Sequence, residues 1–387
     1  MSARPERYDV VVVGAGVMGS ALSYYLQHDH GWSVALCERD SPGAGASGKA
    51  GGLVSAQCWN DWDLKVVEES RKEYARLSEE SGAGIYEETG GIRTASTEAN
   101  LGSIERTLAR LRANGVMARL LEPRELRTYY PEGEFSGVRS ALFTPHDAVV
   151  LPTDLTQLYF RGATEAGSVP VGGLSEKGFH REGKEWVVAT ASGDLVSKRL
   201  VVAAGAWSKK VLKAAGFSAP LAPYLTRACL LKVGNSRAFP FFHDSEQDVY
   251  LRTYPGGDLL AGDGTELVEI DPDRFDSPHD MDFLENIARF MELRFPSWAS
   301  APVESAWRGV CTSTPDRRPL LGPYPGAEGL FLATGFNGFG LMRAGGAMRR
   351  LALGIATGNF AAVEPCLPAR FPPPHSPFSP QPGFTLD

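Results

Sequence analysis

Six residues near the start of the chain are spaced to hold a phosphate. Gly14-Ala15-Gly16-Val17-Met18-Gly19 fits the pattern G-x-G-x-x-G. In that pattern the first glycine permits a tight turn and the second lets a pyrophosphate approach the backbone. The third lets a helix pack closely on a strand. The phosphate then rests against free N–H groups at the positive end of the helix dipole. Glu38 follows Gly19 by 19 residues, where a carboxylate can accept hydrogen bonds from ribose hydroxyls. The chemistry these residues point to is the binding of a dinucleotide.

The motif works only between particular elements, and the surrounding sequence supplies them. Tyr8-Asp9-Val10-Val11-Val12-Val13 reads as a parallel strand buried on both faces. Residues 17–28 read as a helix, Gly31 breaks it, and Val34 to Glu38 read as a second strand. A glycine-, alanine- and serine-rich loop follows over 41–52. Helices are expected over 64–80, 104–114, 123–130, 153–166 and 283–293, with Pro123 in a first turn and Thr153 as a cap. Strands are expected over 186–190 and 200–204, and a hairpin over 250–254 and 259–261. A late strand at 330–334 is followed by a helix over 343–357. From Pro365 onward the chain is rich in proline and is expected to be extended and either packed along the surface or frayed.

Two later segments favour FAD over NAD. Ala203-Ala204-Gly205-Ala206-Trp207 ends a strand in small residues, as a chain passing close to a cofactor requires. Gly335-Phe336-Asn337-Gly338-Phe339-Gly340 is a second glycine-rich turn opening a helix, about 320 residues after the first. A flavin needs one helix end for its pyrophosphate and another near its ring, where negative charge develops on reduction. No second dinucleotide motif of this kind stands mid-chain, which indicates that electrons come from the substrate rather than from a nicotinamide.

Composition removes other classes. The 387 residues carry a net charge of −7 and show no basic stripe, which argues against a nucleic-acid partner. Five widely spaced cysteines form no CxxC pair, and the seven histidines lack metal-ligand spacing. No metal and no disulfide framework is expected, and a reducing cytoplasm is the expected compartment. The apolar run over 10–26 contains the motif glycines and reads as strand and helix, so no targeting or transmembrane segment is expected.

Together these segments resemble the amino-acid oxidase family of flavoproteins, which includes D-amino acid oxidase, glycine oxidase, sarcosine oxidase and related dehydrogenases. Further marks are Glu38-Arg39, the loop from Gly45 to Gly52, Trp307-Arg308-Gly309, Thr314-Pro315-Asp316, Pro319 to Pro323 and Thr334 to Gly340. The closest likeness is to the branch of sarcosine oxidase beta, dimethylglycine dehydrogenase and proline dehydrogenase. The resemblance implies an α/β, Rossmann-like FAD-binding domain of the glutathione-reductase type, with an inserted α+β substrate domain built on a mixed β-sheet. It divides the chain into an FAD domain (7–85, 145–218 and 306–362), a substrate domain (86–144 and 219–305) and a tail (363–387). The FAD contacts it implies are Gly14, Ala15, Gly16, Val17, Met18, Gly19, Glu38, Arg39, Ala46, Ser47, Gly48, Lys49, Ala50, Gly51 and Gly52. Later in the chain it adds Leu174, Ala203, Ala204, Gly205, Trp207, Gly309, Gly335, Phe336, Asn337, Gly338, Phe339, Gly340, Leu341 and Met342.

The implied reaction is oxidation of the C–N bond of a small amine or amino acid such as sarcosine, proline or glycine, with hydride passing to the flavin and an imine as product. Oxygen or an electron carrier would take the electrons, and a homo-oligomer or a partner subunit is compatible. Departures from the family are informative. Cys311 stands where some relatives place a carboxylate-binding arginine, Met342 where some place a lysine, and Phe339 where others place a histidine. Lys49 and Gly309 occupy positions used for covalent attachment, so noncovalent FAD is expected. The substrate-site candidates are Lys49, Tyr250, Arg252, Cys311, Met342 and Arg343, with Arg308 as a further cation; His146-Asp147 belongs to the domain junction. Two alternatives stand beside it: an FAD-dependent 2-hydroxy-acid dehydrogenase, which shares the domain plan, and a noncatalytic flavoprotein that serves as an assembly or interaction subunit.

Overall fold

The computed structural model describes residues 6–234, 237–263, 268–275 and 281–371. Its first strand, Glu6–Val13, pairs in parallel with Val34–Glu38 on one side and Gly193–Val202 on the other. Val10 and Val12 enter one apolar core, and Val11 and Val13 enter another on the opposite face. Burial on both faces is why this strand is a run of valines rather than an alternation. Gly193–Val202 carries three partners. Its first half pairs with Glu185–Thr190 and its last three residues pair with Leu330–Thr334, which brings a segment from near the chain end into the same sheet. Helices Val17–His28, Asp61–Ser81, Pro152–Glu165 and Ala344–Thr357 supply buried side chains to the core on one face.

A second sheet of eight strands runs in the order Val303–Ser313, Ala222–Leu231, Asp258–Asp263, Val249–Tyr254, Phe241–Asp244, Gly91–Ala95, Ser140–Thr144, Arg119–Leu121. Its pairings are antiparallel except that between Phe241–Asp244 and Gly91–Ala95. An aromatic core built on Tyr130, Phe242, Phe290 and Phe295 fills one of its faces, closed by helix Met281–Arg294. A small third sheet joins Leu53–Val54 and Tyr86–Glu87 to Ala148–Val150.

Several expected boundaries move. Helix Asp61–Ser81 begins before Leu64 and is capped by Asn60, whose side chain accepts from Asp63 N–H. Helix Glu98–Ala113 begins before Ile104, capped by Thr97. Thr153 is no cap: Pro152 occupies the first turn and Leu151 precedes it. Ala203 and Ala204 lie past the end of their strand. Strand Val303–Ser313 pairs in the second sheet, so a division between 305 and 306 falls inside it. Residues 363–371 are not extended. They lie in short turns (Ala361–Cys366 and Pro368–Arg370) that bury Val363 and Cys366, while Arg370 binds Asp316 and the carbonyl of Arg318. The prolines from Pro372 onward lie outside the described residues.

Candidate active site

The first glycine turn is fixed by steric need. Gly14 has φ of +105°, and a Cβ there would stand 2.6 Å from the carbonyl oxygen of Ala203. A Cβ on Gly19 would stand 1.8 Å from the carbonyl oxygen of Gly14, so only glycine lets the helix approach the turn. Gly16 precedes the helix, and Val17 N–H donates to Ser47 Oγ at 2.9 Å. Glu38 accepts from Ala15 N–H at 2.7 Å and from Asp40 N–H at 3.0 Å. Each of its oxygens keeps a further lone pair for a ribose hydroxyl.

A cavity of about 1160 Å³ begins at this turn and is lined by residues of both large sheets. The volume exceeds that usual for one small ligand, as a dinucleotide plus a substrate requires. At its rim Arg39 stacks on Trp207 with 4.9 Å between guanidinium carbon and ring, and Trp207 Nε1 donates to Asp273. Lys210 pairs with the same aspartate and with Asp271. Next comes the loop holding the turn Ala46–Lys49, where Trp307 Nε1 donates to the Lys49 carbonyl at 3.0 Å.

The second glycine turn closes the far part of the cavity. Asn337 adopts φ of +55°, which is permitted because its side chain is fully engaged. Its Oδ1 accepts from Thr314 N–H at 3.0 Å, its Nδ2 donates to the Gly335 carbonyl at 2.7 Å, and its own N–H donates to the Thr312 carbonyl. The helix expected from Arg343 is preceded by a tight turn, Leu341–Arg343. The amides of Gly345 and Gly346 in the longer helix are taken by Tyr74 Oη and Ser70 Oγ. Of this turn and the helix after it, Leu341 and Met342 line the cavity, and leading amides of a helical turn have no acceptor within it.

Between the two turns the wall is formed by Tyr224, Thr226, Tyr250 and Cys311, with Asp263 and Arg227 further along. Burial pushes the Cys311 thiol up to about 11, so it is neutral at pH 7, and burial raises the Tyr250 phenol as well. Asp263 is held up at about 6 by burial against the opposing effect of Arg227, which it meets at 2.7 Å. The 7 % exposed Met342 adds an apolar patch.

Of the residues singled out in the sequence, most line this cavity, including Lys49, Leu174, Tyr250, Cys311, Met342 and all of Gly335 to Gly340. Ala15, Gly19, Gly48 and Gly309 do not; they support it from behind. Three candidate cations, Arg343, Arg252 and Arg308, are also outside this lining. Arg343 is fully buried, pairs with Asp63 at 2.9 Å and lies 5.6 Å from the rings of both Trp59 and Phe339. Arg252 lines a separate, smaller cavity. Sequence reasoning missed Tyr224, Thr226, Arg227, Asp263, Lys210 and Asp273. The strand signal in Ala222–Leu231 could have found the first three, since its register sets Tyr224 opposite Cys311 and Thr226 opposite Gly309. Asp147, which closes the junction, accepts from Ser55 Oγ, Ala56 N–H and Thr144 Oγ1.

Among the described residues no helix is long and apolar enough to cross a membrane, and no group of three or more metal-ligating side chains converges. Residues 9–352 match the family described as FAD dependent oxidoreductase. The chain is 28% identical to human mitochondrial dimethylglycine dehydrogenase over 386 residues, covering 92% of this chain and 43% of that protein. It is 27% identical to the mitochondrial pyruvate dehydrogenase phosphatase regulatory subunit of Mus musculus, covering 90% of this chain and 41% of that one. Thus the chain spans less than half the length of these curated relatives. The crystal structure of L-proline dehydrogenase from P. horikoshii superposes with a TM-score of 0.87 at 25% identity, covering 95% of this chain and 98% of that one.

Proposed function

The chain belongs to the FAD-dependent oxidoreductase family, and on that premise we propose that it oxidises the C–N bond of a small amine or amino acid. The residues fit the cofactor: a phosphate cradle that a Cβ would fill, a carboxylate placed for the ribose, and a second helical turn at the other end of one cavity. When bound, FAD supplies the hydride acceptor, and the imine so formed is hydrolysed by water. The observation that carries the reading is that both glycine turns open into one cavity, whose wall between them includes Tyr224, Thr226, Tyr250 and Cys311, with Arg227 and Asp263 further along.

The chain's part in the reaction is to bind, orient and exclude water. Gly14, Gly16, Val17 and Met18 line the part of the cleft that would hold the pyrophosphate, and Glu38 would hold the ribose. The Gly335–Gly340 turn and Leu341 line the other end of the cavity, where they would hold the ring end. The neutral Tyr224, Tyr250 and Cys311 and the thioether of Met342 form a weakly polar wall, which favours an amine arriving uncharged. Lys49 is the candidate cation that lines this cavity, and among the described residues its ammonium has no carboxylate partner, only the Phe275 ring at 5.7 Å. We assign to it the contact with a substrate carboxylate. Arg227 is already held by Asp263. FAD is read as noncovalent, and acid precipitation should release it into the supernatant.

A reducing compartment such as the cytoplasm fits five free cysteines. The electron acceptor is oxygen or a carrier protein, and assembly with itself or with a second subunit is compatible with the family plan. The test is an anaerobic titration of the yellow protein with amines, amino acids and 2-hydroxy acids, following loss of flavin absorbance. Bleaching by amines alone supports the reading, and bleaching by hydroxy acids alone moves it to a 2-hydroxy-acid dehydrogenase. A second reading, a noncatalytic subunit, is favoured by the likeness to the mouse regulatory subunit. Protein that keeps FAD yet is reduced by none of these donors supports it.

A further inference from the structure

Arg252 is the residue whose position the catalytic reading does not use. It lies on strand Val249–Tyr254, two residues from Tyr250, yet it is absent from the wall of the large cavity. Its side chain instead lines a second cavity of about 280 Å³, where the end of the Val249–Asp263 hairpin meets the small sheet. The backbone of Gly52 stands between the two. Gly52 lines the large cavity, and a Cβ on it would stand 3.1 Å from Arg252 Nη2.

The guanidinium is in an unusual state. Arg252 is 1 % exposed, and its Nε and Nη2 have no hydrogen-bond partner. Its one ring neighbour is Tyr254, 5.3 Å from the guanidinium carbon. Burial lowers it only to about 10, so it is charged at pH 7. A buried charge without a partner is destabilising unless something completes it, and an arginine fork matches two oxygens of one anion. The exposed Arg237 also lines this cavity, and among the described residues the acidic member of its wall is Glu87.

We propose that the cavity at Arg252 is a second binding site, separate from the catalytic cleft, for a small oxyanion: a carboxylate or a phosphate gripped by the guanidinium. Its volume admits a compact anion and not a dinucleotide. Because Gly52 separates it from the cleft, an occupant would brace the loop that runs along the cofactor. The site depends on this chain's own residues and not on the proposed reaction.

The test is calorimetric titration of the FAD-loaded protein with acetate and, separately, inorganic phosphate, at ionic strength matched with chloride. We expect saturable binding of at least one, weakened at least tenfold in Arg252→Gln with FAD content unchanged. Glu87→Gln, which removes the opposing surface charge, should tighten binding about threefold. Preference for acetate assigns a carboxylate ligand, and preference for phosphate assigns a phosphate. Absence of saturable binding overturns the proposal. So does binding that persists in Arg252→Gln together with a change in the flavin spectrum, since that anion sits in the catalytic cleft. Should Arg252→Gln fail to fold, Glu87→Gln decides: unchanged affinity counts against the site.

Discussion

The two glycine turns do related work by different means. The early one is shaped by what is missing: Gly14 and Gly19 leave out side chains that would collide with backbone 1.8 to 2.6 Å away. The late one is shaped by what is present. Asn337 binds Thr314, Tyr74 and Ser70 occupy the helix amides, and Arg343 is buried against Asp63. The turn built by omission asks only for missing side chains, although the backbone that Gly14 would strike is that of Ala203, whereas the turn built by bracing depends on side chains up to 280 positions away. The early turn should therefore fail abruptly and the late one by degrees.

The largest effect is expected at the early turn. Gly19→Ala places a methyl group where no shift of a side chain can relieve it. FAD affinity should fall by more than about 1000-fold, roughly 4 kcal/mol, read from the ratio of flavin to protein absorbance. If that variant stays yellow, the steric account of the turn is wrong. Arg343→Met should lower stability to urea by about 3 kcal/mol, because Asp63 is left buried without its partner. Asp63→Leu combined with Arg343→Met should recover part of that loss, which distinguishes a broken pair from a crushed core.

A smaller effect is expected at Asp147, which ties Ser55 and Ala56 to the second sheet. Burial holds its carboxyl at about 6, above the value of about 3.9 for an unfolded aspartate. The folded chain therefore holds this proton more tightly than the unfolded chain. The associated stability is fully present below about pH 4 and is lost as pH rises to 6, by about 2 kcal/mol. Asp263, also near 6, slopes the same way, so the reading is the difference between wild type and Asp147→Asn. A difference that does not change between pH 4 and 6 would remove the assignment. The smallest effect belongs to Asn337. Asn337→Ala should lose about 1–2 kcal/mol of stability, and Asn337→Gly less, since glycine accepts φ of +55° without its side-chain bonds.

The same contrast explains what could be read in the sequence. The early turn, its strands and Glu38 occupy about 30 contiguous residues, so pattern and geometry coincide. Helices Asp61–Ser81 and Glu98–Ala113 were placed three and six residues late. Their first turns, Asp61-Trp62-Asp63 and Glu98 to Ser103, carry little apolar periodicity, and the signal was their caps. Ala222–Leu231 and Val303–Ser313 escaped notice as strands because neither alternates cleanly. Each pairs along most of its length while one end also walls the cavity. Its place in the hairpin makes Arg252 one of several candidate cations for a substrate carboxylate, whereas in the structure it lines the smaller cavity. Sequence gives two residues apart on a strand, but not which side of the Gly51-Gly52 backbone each reaches.

The strand Gly193–Val202, with its three partners, also sets a schedule. Glu6–Val13 is made first but meets this neighbour only after about 190 more residues, roughly 10–40 s at ordinary rates of synthesis. During that interval one edge of a valine-rich strand stays open to wrong partners. The third partner, Leu330–Thr334, arrives later still, carrying the late turn with it. The cleft is therefore completed only once both glycine turns have been made, so cofactor capture follows the synthesis of residues 330–340.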